Sequence, residues 1–123
     1  MKCRRNYIRI NCSIPAIHAL EGDIAHMDEW VWYDSEICNI SLGGMLLSTG
    51  EKRELGEQIW IEFTVEESKS ILVIGLIRYA QATVEAKGTF YKLGIQFQDI
   101  LETDRDMIAR YITQSQLKNI RKK

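Results

Sequence analysis

The clearest structural signal in the chain is Ile59-Trp60-Ile61-Glu62-Phe63-Thr64-Val65, where every second residue from Ile59 onward is strongly apolar. Successive side chains of a β-strand point to opposite faces, so a period of two predicts a strand with one face in a core. The segment is also too short, and its period wrong, for an amphipathic helix. We therefore expect a strand here, which must pair with other strands in a sheet.

The same alternation recurs on both sides of this segment. It is clear over residues 8–14, where isoleucines and Cys12 alternate with polar residues, and again over residues 91–97. Less regular strand-like runs cover residues 29–40 and 70–83, and glycines separate the runs. Five to seven short strands at this spacing predict an antiparallel barrel or sandwich.

The period changes near the C-terminus. From Thr103 onward, apolar residues such as Met107, Ile108, Tyr111 and Ile112 recur at helical spacing. Acids precede them and bases follow, which suits the dipole of a helix. We predict a C-terminal helix over about residues 103–119 that closes a mainly β barrel.

Length and charge narrow the class of protein. A chain of 123 residues is expected to form one domain, 1–123. Its formal net charge of -1 argues against a polycation that binds nucleic-acid polymers. Basic residues gather in an N-terminal arm, residues 1–9, which we expect to be flexible. Acids dominate from Glu21 to Glu67, so a basic arm is set against an acidic body.

Catalytic signals are missing from the sequence. His18 and His26 lack the spacing of metal-binding or catalytic motifs, and we expect them to be packed or solvated. Ser41 does not lie in a G-x-S-x-G nucleophile turn, and there is no phosphate-binding G-x-x-x-x-G-K loop. We predict no catalytic residue and no metal site, and therefore no enzyme.

The cysteines and the longest apolar run indicate the compartment. Cys3, Cys12 and Cys38 are odd in number and lack metal-ligand spacing, which favours reduced thiols in a cytoplasmic protein. The apolar run at residues 71–77 is far shorter than the ~20 residues of a membrane helix. We expect no membrane insertion.

Two short motifs are not explained by a generic barrel. Arg5 and Arg9 form an R-x-x-x-R pair, and guanidinium groups match phosphates and the edge of guanine. The alternative is a solvated basic terminus. Asn39, Ser41 and Gly44 form N-x-S-x-x-G, in which an amide can pair with a base edge. Here the alternative is an ordinary turn that ends a strand.

Together and in this order, the two motifs resemble the PilZ domain, the bacterial receptor for cyclic di-GMP. That family carries R-x-x-x-R followed by (D/N)-x-S-x-x-G, and this chain matches both. The resemblance continues in Gly75-Leu76-Ile77-Arg78 and in Tyr91-Lys92-Leu93-Gly94-Ile95-Gln96-Phe97. It therefore extends from Arg4 to the last helix.

The resemblance implies a fold and a binding site. The fold is a six-stranded antiparallel (split) β-barrel with a C-terminal helix. The implied cyclic di-GMP ligands are Arg4, Arg5, Arg9, Asn39, Ser41, Gly43 and Gly44. In the family's roles, the two motif arginines clasp a guanine edge and phosphates, and Asn39 bonds a second guanine. Ser41 lies beside Asn39, and Gly44 keeps the turn open. No cofactor is implied.

The function implied is a non-catalytic receptor that relays cyclic di-GMP to a protein partner when the ligand orders the arm. The motility, exopolysaccharide and pilus machineries of bacteria are candidate partners. Arg4 favours a stacked pair of ligands, and the tryptophans Trp30 and Trp32 fit either barrel packing or a homodimer surface. The alternative is a PilZ-like protein-interaction scaffold without nucleotide. A single-stranded nucleic-acid binder fits less well, because acids flank the tryptophans.

Overall fold

The structure is a computed structural model that describes residues 8–20, 31–65 and 69–121, with side chains up to Lys118. Its strands are β1 (Ile10–Leu20), β2 (Tyr33–Ile40), β3 (Gly44–Thr49), β4 (Gln58–Phe63), β5 (Ile71–Glu85) and β6 (Gly88–Ile100). One helix, α1 (Glu102–Arg121), follows them. All the pairings are antiparallel, and the order β1-β2-β3-β6-β5-β4 closes the barrel. The predicted mainly β, six-stranded antiparallel barrel with a C-terminal helix is confirmed.

The alternating residues of β4 fill the barrel as predicted. Ile59 and Ile61 are fully buried, and Phe63 is nearly so. They meet the inward residues of the other strands, such as Ile37 and Leu93. The outward residue Trp60 is half-buried and pairs with Ile74 across the β4–β5 ladder. Burial of one face of each strand thus stabilises the closed sheet.

The helix α1 closes the core. Ile108 and Ile112 are buried with the barrel residues, and Met107 and Tyr111 pack beside them. Asp104 is also buried, and its carboxylate accepts a hydrogen bond from the backbone N–H of Leu72 at 3.4 Å. The helix extends slightly beyond the predicted residues 103–119 at both ends, a difference within the usual uncertainty of helix termini.

The first strand begins later than the alternation predicts. Ile8 shares the period of Ile10, yet it precedes β1 and is 58% exposed. The segment instead forms one side of a groove against α1, as described below. Of the two tryptophans considered for a surface role, Trp32 is 38% exposed just before β2, and Trp30 lies outside the described residues.

His18 is packed, in agreement with the sequence-based expectation, while His26 lies outside the described residues. The Nε2 atom of His18 accepts a hydrogen bond from Arg53 Nε at 3.3 Å, and its Nδ1 lies 3.3 Å from Ser35 Oγ. Since arginine only donates, a neutral His18 must carry its proton on Nδ1. The Arg53 guanidinium also lies 4.8 Å from the centroid of the Tyr33 ring. This cluster fixes β1 to β2 and to the segment after β3.

Candidate functional site

The predicted ligand residues that the structure describes lie around the start of β1 and the β2–β3 turn. Arg9 immediately precedes β1 and is exposed, whereas Arg4 and Arg5 lie outside the described residues. Asn39 is near the end of β2. Ser41 and Gly43 lie between β2 and β3, and Gly44 is the first residue of β3. Of the R-x-x-x-R pair, Arg9 is the residue that the structure describes.

Ser41 organises the β2–β3 turn from within. Its Oγ accepts hydrogen bonds from the backbone N–H groups of Gly43 and Gly44, at 3.1 and 3.2 Å. The same hydroxyl donates to the Gly44 carbonyl at 3.3 Å, and the Ser41 N–H donates to that carbonyl at 2.9 Å. A hydroxyl has one proton and two lone pairs, so these contacts use its full capacity. Ser41 is also only 4% exposed.

The two glycines connect the turn to β6. Gly43 accepts a hydrogen bond at 2.9 Å from the Phe97 N–H. At Gly44, an added Cβ would lie 2.2 Å from the carbonyl oxygen of Ile95. That atom belongs to the backbone of β6, so it cannot move aside as a side chain can. The structure thus gives Gly44 a role in sheet packing, in addition to the role in the turn that the resemblance implies.

Asn39 carries a buried polar atom without a hydrogen-bond partner in the described part of the chain. Its side-chain Oδ1 is buried and accepts no hydrogen bond from the part of the chain that the structure describes. A buried acceptor without a donor costs about 1–3 kcal/mol. A bound ligand with a suitable N–H group can supply the missing donor.

Asn11 lies directly opposite Asn39 in the β1–β2 ladder. Side chains of directly paired residues share a face of the sheet, with Cβ atoms about 5 Å apart. The adjacent pair, Ile10 and Ile40, faces the core, so both amides are on the outer face. The sequence reasoning missed Asn11, because the pairing depends on a register shift between Asn11 and Ile14 that no local pattern predicts.

A groove of about 620 Å³ begins at the same place. Its walls are the segment 8–11, which includes Arg9 and Asn11, and the last turns of α1. The helix contributes Ser115, Gln116 and Lys118. The described lining holds two cations and no carboxylate, so it favours an anion. Asn11 lines this groove and is the cross-strand partner of Asn39, although Asn39 itself is not part of the lining.

Two cysteines lie near this site, and the thiol of Cys12 is a poor nucleophile. Cys12 and Cys38 are free and half-buried. The pKa of the Cys12 thiol is raised to about 11, first by burial and then by Cys38 and Glu36. It is therefore protonated at neutral pH, and a protonated thiol does not attack substrates. Cys38 Sγ accepts a hydrogen bond from Lys92 Nζ at 3.5 Å.

Within residues 8–20, 31–65 and 69–121 of the structure, no three histidine, cysteine or acidic residues are grouped so as to hold a metal ion. No helix in that part of the chain has the length and apolar character needed to cross a membrane.

Solved structures with the same architecture include three PilZ-containing or related proteins. The PilZ domain of Escherichia coli YcgR, with c-di-GMP, has a TM-score of 0.69 at 16% identity, covering 98% of this chain and 96% of that domain. The K. pneumonia MrkH–c-di-GMP complex has a TM-score of 0.75 at 17% identity, covering 99% of this chain and 56% of MrkH. The Bacillus subtilis inhibitor of motility MotI has a TM-score of 0.71 at 18% identity, covering 95% of this chain and 53% of MotI.

These similarities establish the fold, and the chain spans about half the length of MotI and MrkH. No curated protein matches the sequence. The sequence model of the PilZ domain, in contrast, matches residues 4–114, which is most of the chain and includes both motifs. Since the match covers the barrel and most of α1, the chain belongs to the PilZ domain family.

Proposed function

We propose that this chain is a non-catalytic receptor for cyclic di-GMP. The observation that carries the proposal is the buried, unsatisfied Oδ1 of Asn39. It lies opposite Asn11, which lines a cationic groove with Arg9. Membership of the PilZ family supports the proposal, as do the similar folds of YcgR and MrkH, which were solved with this nucleotide.

The chemistry of the ligand matches these residues. Asn39 Oδ1 needs a donor, and guanine offers N–H donors on its base edge. The Arg9 guanidinium can pair with a phosphate or with the O6 and N7 acceptors of guanine. We assign Arg5 the same role and Arg4 the stabilisation of a second, stacked ligand. Ser41, Gly43 and Gly44 then act by shaping the turn that holds Asn39 in place.

The output of such a receptor is a changed surface. A ligand held between the basic arm 1–9 and the barrel would order the arm, and a protein partner would read that change. The partner belongs to a bacterial motility, exopolysaccharide or pilus system, and the site of action is the cytoplasm. Trypsin cleavage after Arg4, Arg5 and Arg9 should slow when cyclic di-GMP is added. An unchanged cleavage rate at saturating ligand would contradict the ordering step.

The proposal is tested by calorimetric titration with cyclic di-GMP. We expect saturable binding in the micromolar range, about −8 kcal/mol. Arg5→Ala should abolish it and Asn39→Ala should weaken it. Lys87→Ala, at the exposed β5–β6 turn, is the matched control and should bind normally. Two ligands bound per chain would support the stacked pair, and one would exclude it.

The opposite result has a clear meaning. Absence of binding heat in the titration, with no shift of the melting temperature at high nucleotide concentration, would refute the proposed receptor function. It would favour the alternative, a PilZ-like scaffold that binds protein only.

A further inference from the structure

We infer that the last turns of α1 form a third wall of the nucleotide site, where Lys118 contacts a ligand phosphate. This inference rests on the proposed function and adds a binding element outside both sequence motifs. It starts from the groove between β1 and α1, in which Arg9 and Lys118 line a common space.

The size and chemistry of the groove suit a nucleotide. Its volume of about 620 Å³ lies within the range of about 300–1,000 Å³ that is usual for small-molecule sites. Lys118 supplies a point charge for phosphate oxygens. Ser115 and Gln116 add a hydroxyl and an amide, which can donate to a phosphate or sugar oxygen.

Charge placement points to an anion rather than to a neutral ligand. Arg9 and Lys118 are like charges on opposite sides of one groove, and no carboxylate is part of its described lining. An anion between two cations is stabilised by both. A dinucleotide with two phosphates provides such an anion and can also extend bases toward Asn39.

The position of α1 predicts that a ligand contact at Lys118 stabilises the end of the helix. Ile108 and Ile112 fix the middle of the helix in the core, whereas Leu117 and Lys118 are exposed. Residues at an exposed helix end open more readily than the anchored turns. A ligand that contacts Lys118 would therefore stabilise this end, so backbone amides of residues 115–118 should exchange more slowly with solvent.

The test compares cyclic di-GMP binding to the wild type and to three Lys118 variants. Lys118→Ala should weaken binding by about fivefold. Lys118→Glu should weaken it more, and Lys118→Arg should restore most of it. The difference between wild type and Lys118→Ala should shrink as salt increases, because the contact is electrostatic. Lys87→Ala is the control for loss of one exposed cation.

The outcomes separate this inference from the proposed function. If the wild type binds and Lys118→Ala binds equally well, α1 is not part of the site, although the receptor assignment stands. If the wild type does not bind, both fail. Weaker binding by Lys118→Ala at an unchanged melting temperature, with slower ligand-dependent exchange at residues 115–118 of the wild type, supports the inference. If Lys87→Ala weakened binding equally, the effect of Lys118→Ala would be a general effect of charge, and the inference would be overturned.

Discussion

Gly44 of β3 and Ile95 of β6 approach so closely that a Cβ on Gly44 would lie 2.2 Å from the Ile95 carbonyl oxygen. The β2–β3 turn, which carries the second motif, is thus held against the neighbouring strand without space for a side chain. The position of Asn39 depends on this contact, because the same turn follows it directly.

Gly44→Ala should therefore destabilise the barrel. Relief of the clash requires β3 and β6 to separate locally, and we expect the free energy of unfolding to fall by about 1–3 kcal/mol. Urea denaturation measures the loss. Gly50→Ala is the matched control, since a Cβ there meets nothing within 4 Å and its effect should stay below about 1 kcal/mol. Equal losses of unfolding free energy in the two variants would show that the close approach of Gly44 to Ile95 does not exclude a side chain at position 44.

Ser41→Ala should lower stability even without ligand. The substitution removes an acceptor for two backbone N–H groups of the turn, and we expect a loss of about 1–3 kcal/mol. Ser70→Ala removes an exposed hydrogen bond to Glu62 and should cost less than about 0.5 kcal/mol. Thermal and urea unfolding of both variants check this. If Ser41→Ala kept full stability but lost nucleotide binding, Ser41 would be a ligand contact rather than a turn residue.

Asn39→Leu should separate stability from binding. Leucine has a similar size and no polar atom, so it removes a buried acceptor that lacks a donor. We expect the free energy of unfolding of the ligand-free chain to stay equal or rise by about 1 kcal/mol, while cyclic di-GMP binding is weakened, as in Asn39→Ala. Asn11→Leu, at an exposed position, should bring no such gain. A strongly destabilised Asn39→Leu would mean that the amide has a partner within the protein.

Cys12 should make the barrel sensitive to alkaline pH. Its pKa is raised from 9.0 to about 11, first by burial, so the folded state holds the proton more tightly than the unfolded state. The stabilising contribution is complete below pH 9 and is lost as the pH rises toward about 11. Urea midpoints measured across this window should fall more in the wild type than in Cys12→Ala. Parallel curves for the two proteins would contradict the prediction.

The strands and the helix could be predicted from the sequence because their signals are local. The alternation from Ile59 to Phe63 gives both the strand and its buried face, and the helical spacing of Ile108 and Ile112 gives the stripe that closes the core. Ile8 shows the limit of this reasoning. It shares the period of Ile10, but β1 begins only at Ile10, and the alternation of residues does not predict where the strand begins.

The candidate site could be predicted only in part. Asn39, Ser41 and Gly44 follow from a motif, whereas Asn11 depends on strand register and on the shift between Asn11 and Ile14. Lys118 is separated from Arg9 by most of the chain, and only the closed barrel with its helix brings the two to one groove. Long-range placement of this kind is a property of the whole fold and not of any segment.

The hydrogen bonds of Ser41 bear on how related sequences should be interpreted. Its hydroxyl is fully occupied by the turn, and Gly44 is required by the backbone of β6. A relative that no longer binds nucleotide would still be stabilised by both residues. We therefore expect the serine and glycine of the motif to be retained for the stability of the barrel, and the amide at position 39 and the arginines to be retained where nucleotide is bound.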